Sequence, residues 1–144
     1  MLVHQILKLK SDDAVVTVPP GTKVSEAAKI LAERKIGTVV VSANAQTADG
    51  ILSERDIVRV LAQKGGSVLS DAVDAHMTTQ LVTCGRNDDA DAVLSTMTER
   101  RFRHMPVVED GQLVGLITIG DVVKARLTEL AMEKDALQGM IMGH

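Results

Sequence analysis

At 144 residues, with 45% hydrophobic and 24% charged side chains, the chain has the make-up of one compact domain or two very small ones, and not of a disordered segment. A net charge of -3 and a pI of about 5.8 leave no basic field for a polyanion, and Phe102 is the sole aromatic, which removes the stacking platforms of most single-stranded nucleic-acid binders. The lone Cys84 permits no internal disulfide, no apolar run reaches membrane-spanning length, and residues 1–10 lack the apolar core of a signal peptide, so a cytoplasmic protein is expected, with neither nucleic acid nor membrane as partner.

Residues 1–10 place Leu2, Ile6 and Leu9 at helical spacing and read as a short docking helix, broken by the polar turn of Ser11, Asp12 and Asp13. Val15, Val16, Thr17 and Val18 form a β-branched run that Pro19, Pro20 and Gly21 stop. Val24, Ala27, Ala28 and Leu31 then fit a helix, with Thr22 or Ser25 as its cap and Gly37 as its end. Val39, Val40 and Val41 read as a buried strand, residues 42–49 as a polar connection, and Ile51 and Leu52 as the start of another strand. From Ser53 a helix carries Ile57, Val60 and Leu61 on one face and stops at Gly65 and Gly66.

The same order of strand, helix, strand, strand and helix then recurs. Val82, Thr83 and Cys84 repeat Val16, Thr17 and Val18 at a spacing of 66 residues, and at that spacing Glu33 and Arg34 meet Glu99 and Arg100, Ile36 meets Phe102, and Val41 meets Val107. One residue is lost before residues 115–123, which repeat residues 50–58: a glycine, an apolar pair, a hydroxyl residue, two variable positions and an aspartate. Ser53 and Asp56 therefore have twins in Thr118 and Asp121. Units this small bury little surface alone, which implies one pseudosymmetric domain. Residues 1–66 form the N-terminal helix and first unit, 67–77 a linker, 78–126 the second unit, and 127–144 a helical tail. The apolar side of that tail, Leu127, Leu130, Ala131 and Leu137, is expected to cover the module or a partner subunit.

The repeated set resembles a tandem pair of CBS domains, the module named after cystathionine β-synthase and called a Bateman module when paired. The second unit carries the resemblance through Met77 and Thr78 ahead of Val82, through Arg103, His104, Met105, Pro106, Val107 and Val108, and through the Gly-x-x-Thr-x-x-Asp run of residues 115–121. The first unit matches through Ile36, Gly37, Thr38 and the three valines, and through Ser53, Glu54, Arg55 and Asp56. The likeness covers residues 12–126 and, with no catalytic domain attached, is closest in kind to the small stand-alone CBS proteins of bacteria.

The resemblance implies an α/β fold of two pseudosymmetric β-α-β-β-α units packed sheet to sheet, with extra terminal helices and two clefts. It also implies an adenine nucleotide ligand (AMP, ADP, ATP or NAD(H)) or S-adenosylmethionine, no catalytic activity, a homodimer joined through helices, and an unidentified protein target. In one cleft Thr118 would contact phosphate or ribose and Asp121 the ribose hydroxyls, with Ser11, Val16, Ile36 and Thr38 around the adenine. The other would use Ser53 and Asp56 with Thr78, Val82, Phe102 and His104. Gly37, Arg55, Arg103, Met105 and Pro106 join the candidates through the same motifs. Val40 stands where the second unit has Pro106, and Gly37 and Thr38 where it has Arg103 and His104, so the clefts need not be equal.

An ionised aspartate is acceptor-only and can take both ribose hydroxyl protons, while a hydroxyl at a helix start lies where free N–H groups favour phosphate. The same spacing is also a capping box, with the hydroxyl as N-cap and the acid three residues on. Arg100, Arg101, Arg103 and His104 form the densest basic cluster; Arg100 reads as a solvated helix end, and Arg103 and His104 as phosphate donors. Cys84 reads as a buried, inert thiol, and His4, His76 and His144 form no metal set. A regulatory nucleotide-binding module and an interaction protein with empty clefts are the two functional expectations.

Overall fold

The computed structural model describes residues 1–10 and 15–142, so the expected turn at residues 11–13 lies outside it. In chain order it contains α1 (Val3–Leu9), β1 (Thr17–Val18), α2 (Val24–Arg34), β2 (Thr38–Val41), β3 (Gly50–Ser53) and α3 (Glu54–Lys64). Two 3-10 turns (Gly66–Ser70 and Val73–Ala75) lead to α4 (Ala90–Arg100), β4 (His104–Glu109), β5 (Gln112–Thr118) and α5 (Ile119–Ile141). This is the expected α/β pair, with one small sheet in each repeat. In the first, β1 runs parallel to β2 and β2 antiparallel to β3; in the second, β4 and β5 are antiparallel.

The repeat extends to the backbone hydrogen bonds, with one rung missing. Val40 N–H donates to the Val16 carbonyl at 3.0 Å and Ser42 N–H to that of Val18 at 2.9 Å, while Val108 N–H donates to Cys84 at 2.8 Å. The twin of the Val40 bond does not exist, because residue 106 is proline and has no N–H. Without that rung, the strand expected at Val82, Thr83 and Cys84 contracts to one parallel bridge between Cys84 and Val107. Both α2 and α4 end in a basic residue with left-handed backbone, Lys35 (φ 55°) and Arg101 (φ 60°), whose N–H groups close on Leu31 and Met97. Thus α2 stops ahead of Gly37, not at it. Neither Thr22 nor Ser25 caps it: the Thr22 hydroxyl donates to the Pro19 carbonyl, and the Val24 N–H finds the Asp71 carbonyl at 2.9 Å.

Each unit receives a segment from outside its own repeat. Val3 and Ile6 of α1 enter the second core, among Val93, Met97, Met105, Val107 and Ile117. Val73 enters the first, among Val24, Leu31, Val39, Val41 and Leu52. Leu2 bridges Asp89 as Ala72 bridges Lys23, and Leu7 lies over Gly115 as Met77 lies over Gly50, where a Cβ on either glycine would overlap the side chain above it. In this register Lys10 and Gln80 are equivalent positions. The stretch expected as a linker is therefore structural, with Val68 and Val73 buried. The buried face of α1 is Val3 and Ile6; Leu9, which the spacing places with Ile6, is 60% exposed among the described residues.

The tail expected from residue 127 is the uninterrupted continuation of α5, of 23 residues. Val122 and Ala125 are buried in its first turns, but Leu127, Leu130 and Leu137 are 62%, 44% and 59% exposed, so the described residues do not cover them. Among the described residues no helix is long and apolar enough to cross a membrane.

Candidate functional site

β2 is buried along its whole length, yet only Val39 and Val41 belong to the core beneath the helices. Thr38 and Val40, by strand alternation, occupy the other face. That face borders a cleft of about 640 Å³, within the range of roughly 300–1,000 Å³ common for small-molecule sites. The first unit lines it with the end of β3 and the start of α3: Ile51, Ser53, Glu54, Arg55, Asp56 and Arg59, beside Gly37 and Thr38. The second unit contributes Arg101, Phe102, Arg103 and His104 from the α4–β4 junction, with Thr118 and Ile119. Thr78, Gln80, Leu81 and Val82 close the remaining side.

Ser53, Asp56, Thr78, Val82, Phe102 and His104, expected around one cleft, line this single cavity, together with Gly37, Arg55 and Arg103. Thr38 and Thr118, expected in the opposite cleft, border it too. Val16 and Ile36 instead pack on the first core, Met105 lies in the second, and Pro106 is buried within β4. Asp121 lies off the lining, and Ser11 falls outside the described residues. Arg59, Arg101 and Gln80 were not expected. Arg59 follows Asp56 by three helical positions and carries a readable signal. Arg101 holds the left-handed helix-end position that glycine usually takes, which no local pattern of the sequence announces.

Both hydroxyl-x-x-aspartate devices are closed capping boxes. Asp56 Oδ2 accepts the Ser53 N–H and hydroxyl, each at 2.9 Å, while Ser53 Oγ accepts the Asp56 N–H at 3.1 Å. Asp121 Oδ2 accepts the Thr118 N–H at 2.9 Å, and Thr118 Oγ1 accepts the Asp121 N–H at 3.1 Å. The carboxylates differ in their cations. Asp56 Oδ1 pairs with Arg59 Nη1 at 2.9 Å, from its own helix, whereas Asp121 Oδ2 pairs with Lys10 Nζ at 2.9 Å, from outside the repeat.

The lining sets four arginines against the carboxylates Glu54 and Asp56, a local positive excess in a chain whose net charge is -3. Among the described residues Arg55, Arg101 and Arg103 make no ion pair, so their guanidinium groups are available to a ligand. Ile51, Leu81, Val82, Phe102 and Ile119 form an apolar floor beneath them. Cys84 is buried; burial, aided by Asp88, pushes its thiol up to about 12, which makes it inert. Among the described residues no cluster could hold a metal ion.

His104 sits where the units meet. A Cβ at residue 37 would lie 3.2 Å from its Nε2, so the bare Gly37 backbone makes room for the imidazole. Burial lowers its pKa below 6.5, opposed by Glu54 and Asp121 and assisted by Lys10 and Arg103. As pH falls through 6.5 the unfolded chain takes up this proton before the folded one, so the contribution of His104 is a loss of stability on acidification. It ceases to grow once the folded imidazole also protonates. Urea titrations between pH 7.5 and about 5 are expected to show a shallower decline for His104→Gln than for the parent; parallel curves would refute the coupling.

Known proteins share this fold. The CBS domain family matches residues 8–63 and 70–128. Over 124 residues the chain is 33% identical to the mitochondrial CBS domain-containing protein CBSX3 of Arabidopsis thaliana; the match covers 83% of this chain and 60% of that protein's length. The crystal structure of a CBS-domain containing protein from Agrobacterium tumefaciens is 43% identical, with a TM-score of 0.82 over 88% of this chain and 99% of that one. A CBS domain protein from Pyrobaculum aerophilum, solved in complex with AMP, is 26% identical, with a TM-score of 0.76 over 92% of this chain and 99% of that one.

Proposed function

The chain belongs to the CBS-domain family, and we propose that it is a regulatory module that binds an adenine nucleotide (AMP, ADP, ATP or NAD(H)) in this cleft and reports energy or redox state to a partner protein. The observation that carries the reading is the cleft itself: an apolar floor, a ribose-competent carboxylate and three arginines with no ion pair among the described residues converge between the two units. Phe102, Val82 and Ile51 would hold the flat base by burial of its faces. Asp56 would take the ribose hydroxyls, with Arg59 turning outward, since that side chain is already 53% exposed. Arg55, Arg101 and Arg103 would receive the phosphates with forked hydrogen bonds. This excess of positive charge disfavours S-adenosylmethionine, whose sulfonium is itself cationic. The AMP complex of the Pyrobaculum relative supports the same ligand class.

The exposed Leu127, Leu130, Met132, Leu137, Met140 and Ile141 of α5, with Val123 of the same helix and Val58 of α3, form apolar surface suited to a second copy, and the proposed state is a homodimer. That same surface favours the second reading, an interaction protein with empty clefts. Thermal melts separate the two. A ligand that binds only the folded state raises stability by about 2.7 kcal/mol at a hundredfold excess over Kd. Melting is expected to rise with AMP, ADP, ATP or NAD and to stay unchanged with a pyrimidine nucleotide. Identical curves for all of them would leave the interaction protein as the better reading.

A further inference from the structure

We propose that Lys10 is an internal plug of the second cleft, so that this chain takes nucleotide at Asp56 while holding the site around Asp121 shut. The inference rests on the nucleotide reading above and assigns that site its selectivity. Lys10 and Gln80 occupy equivalent positions, as the pairing of Leu7 over Gly115 with Met77 over Gly50 establishes. Gln80 borders the open cavity and brings no charge to Asp56. Lys10 instead sends its ammonium onto the carboxylate, 2.9 Å from Asp121 Oδ2, and donates to the Leu116 carbonyl at 2.9 Å.

The two cations differ in how they are held. Arg59 lies on the helix of Asp56, 53% exposed, and can swing into solvent without disturbing the fold. Lys10 follows directly on α1, which Val3 and Ile6 anchor in the second core, and its side chain is only 21% exposed. Asp121 Oδ2 already accepts the Thr118 N–H, so cap and ammonium converge on that oxygen and only Oδ1 is left to a ribose that needs acceptors for two hydroxyls. A nucleotide entering here must strip Lys10 from both acceptors, which costs affinity that the Asp56 cleft keeps. Lys10 also faces His104, which Glu54 faces from the first cleft, so the plug lies beside the residue that joins the two sites.

The opposite possibility is that Lys10 is a phosphate clamp that a ligand recruits. Calorimetric titration of the intact parent, Lys10→Ala and Lys10→Gln with AMP decides between them. The glutamine restores the residue of the twin position. The parent is expected to show one binding event per chain. Both variants should show a second, with affinity at that cleft raised roughly tenfold to a hundredfold, the equivalent of one hydrogen bond to a charged group no longer broken. Adding Asp121→Ala to Lys10→Gln should remove the second event and leave the first. Two events in the parent, weaker binding in Lys10→Gln, or a single event in every protein would overturn the plug alone. Absence of AMP binding in parent and variants alike would overturn the nucleotide reading and the plug with it.

Discussion

Asp56→Ala is expected to weaken AMP binding by roughly 2–4 kcal/mol, the loss of two charge-assisted hydrogen bonds of about 1.5–3 each, less what water restores. The fold should lose only about 1 kcal/mol, because the capping box it closes is a single helix start. Asp121→Ala is the internal control, since it opens the matching box on α5 and Asp121 itself does not line the cavity, although its capping partner Thr118 does. Its melting temperature should fall by a similar margin while AMP affinity at the Asp56 cleft stays at the parent value. Calorimetry and urea denaturation on the two variants separate the roles. If Asp56→Ala binds AMP like the parent and only melts lower, the carboxylate is a helix cap and nothing more.

Arg103→Glu should cost about 3 kcal/mol of nucleotide affinity, from a lost hydrogen bond to phosphate and the repulsion that replaces it. Stability should barely move, because the side chain is exposed and makes no ion pair among the described residues. Arg103→Lys should recover only part of the loss, since an ammonium keeps the charge but not the planar fork. Parent affinity should also decline with added salt, more for ATP than for AMP. Equal affinities for parent and Arg103→Glu at low salt would show that the phosphates lie elsewhere in the cleft.

The fold was legible because the repeat is written in residues that pack. The valines at positions 39–41 and the matched ends of α2 and α4 announce equivalent units in the sequence itself. What stayed hidden is what the second unit borrows. Residues 2–10 and 72–80 play the same structural part, yet Val3 aligns with Val73 while Ile6 aligns with His76 and Lys10 with Gln80. A packing role shared by such different residues leaves no similarity to find.

The cleft was half legible for a related reason. Ser53, Asp56, Phe102 and His104 sit in motifs, and the structure brings them together. Thr118 faces this cavity from the unit assigned to the other cleft because β5 pairs it with His104, a register that motif spacing does not reveal. Met105 and Pro106 share the motif of His104 but do not line the cavity: alternation along β4 sends Met105 into the second core, and Pro106 is buried on the opposite face. Arg101 reaches the site only because the chain turns left-handed at the end of α4.

The central claim is that one adenine nucleotide lies between Phe102, Asp56 and Arg103, and a crystal structure grown with AMP tests it most directly. The expected result is a base over the apolar floor, ribose hydroxyls on Asp56 displacing Arg59, phosphate among Arg55, Arg101 and Arg103, and Lys10 still on Asp121. An empty cleft at saturating AMP, or a nucleotide bound away from these residues, would contradict it.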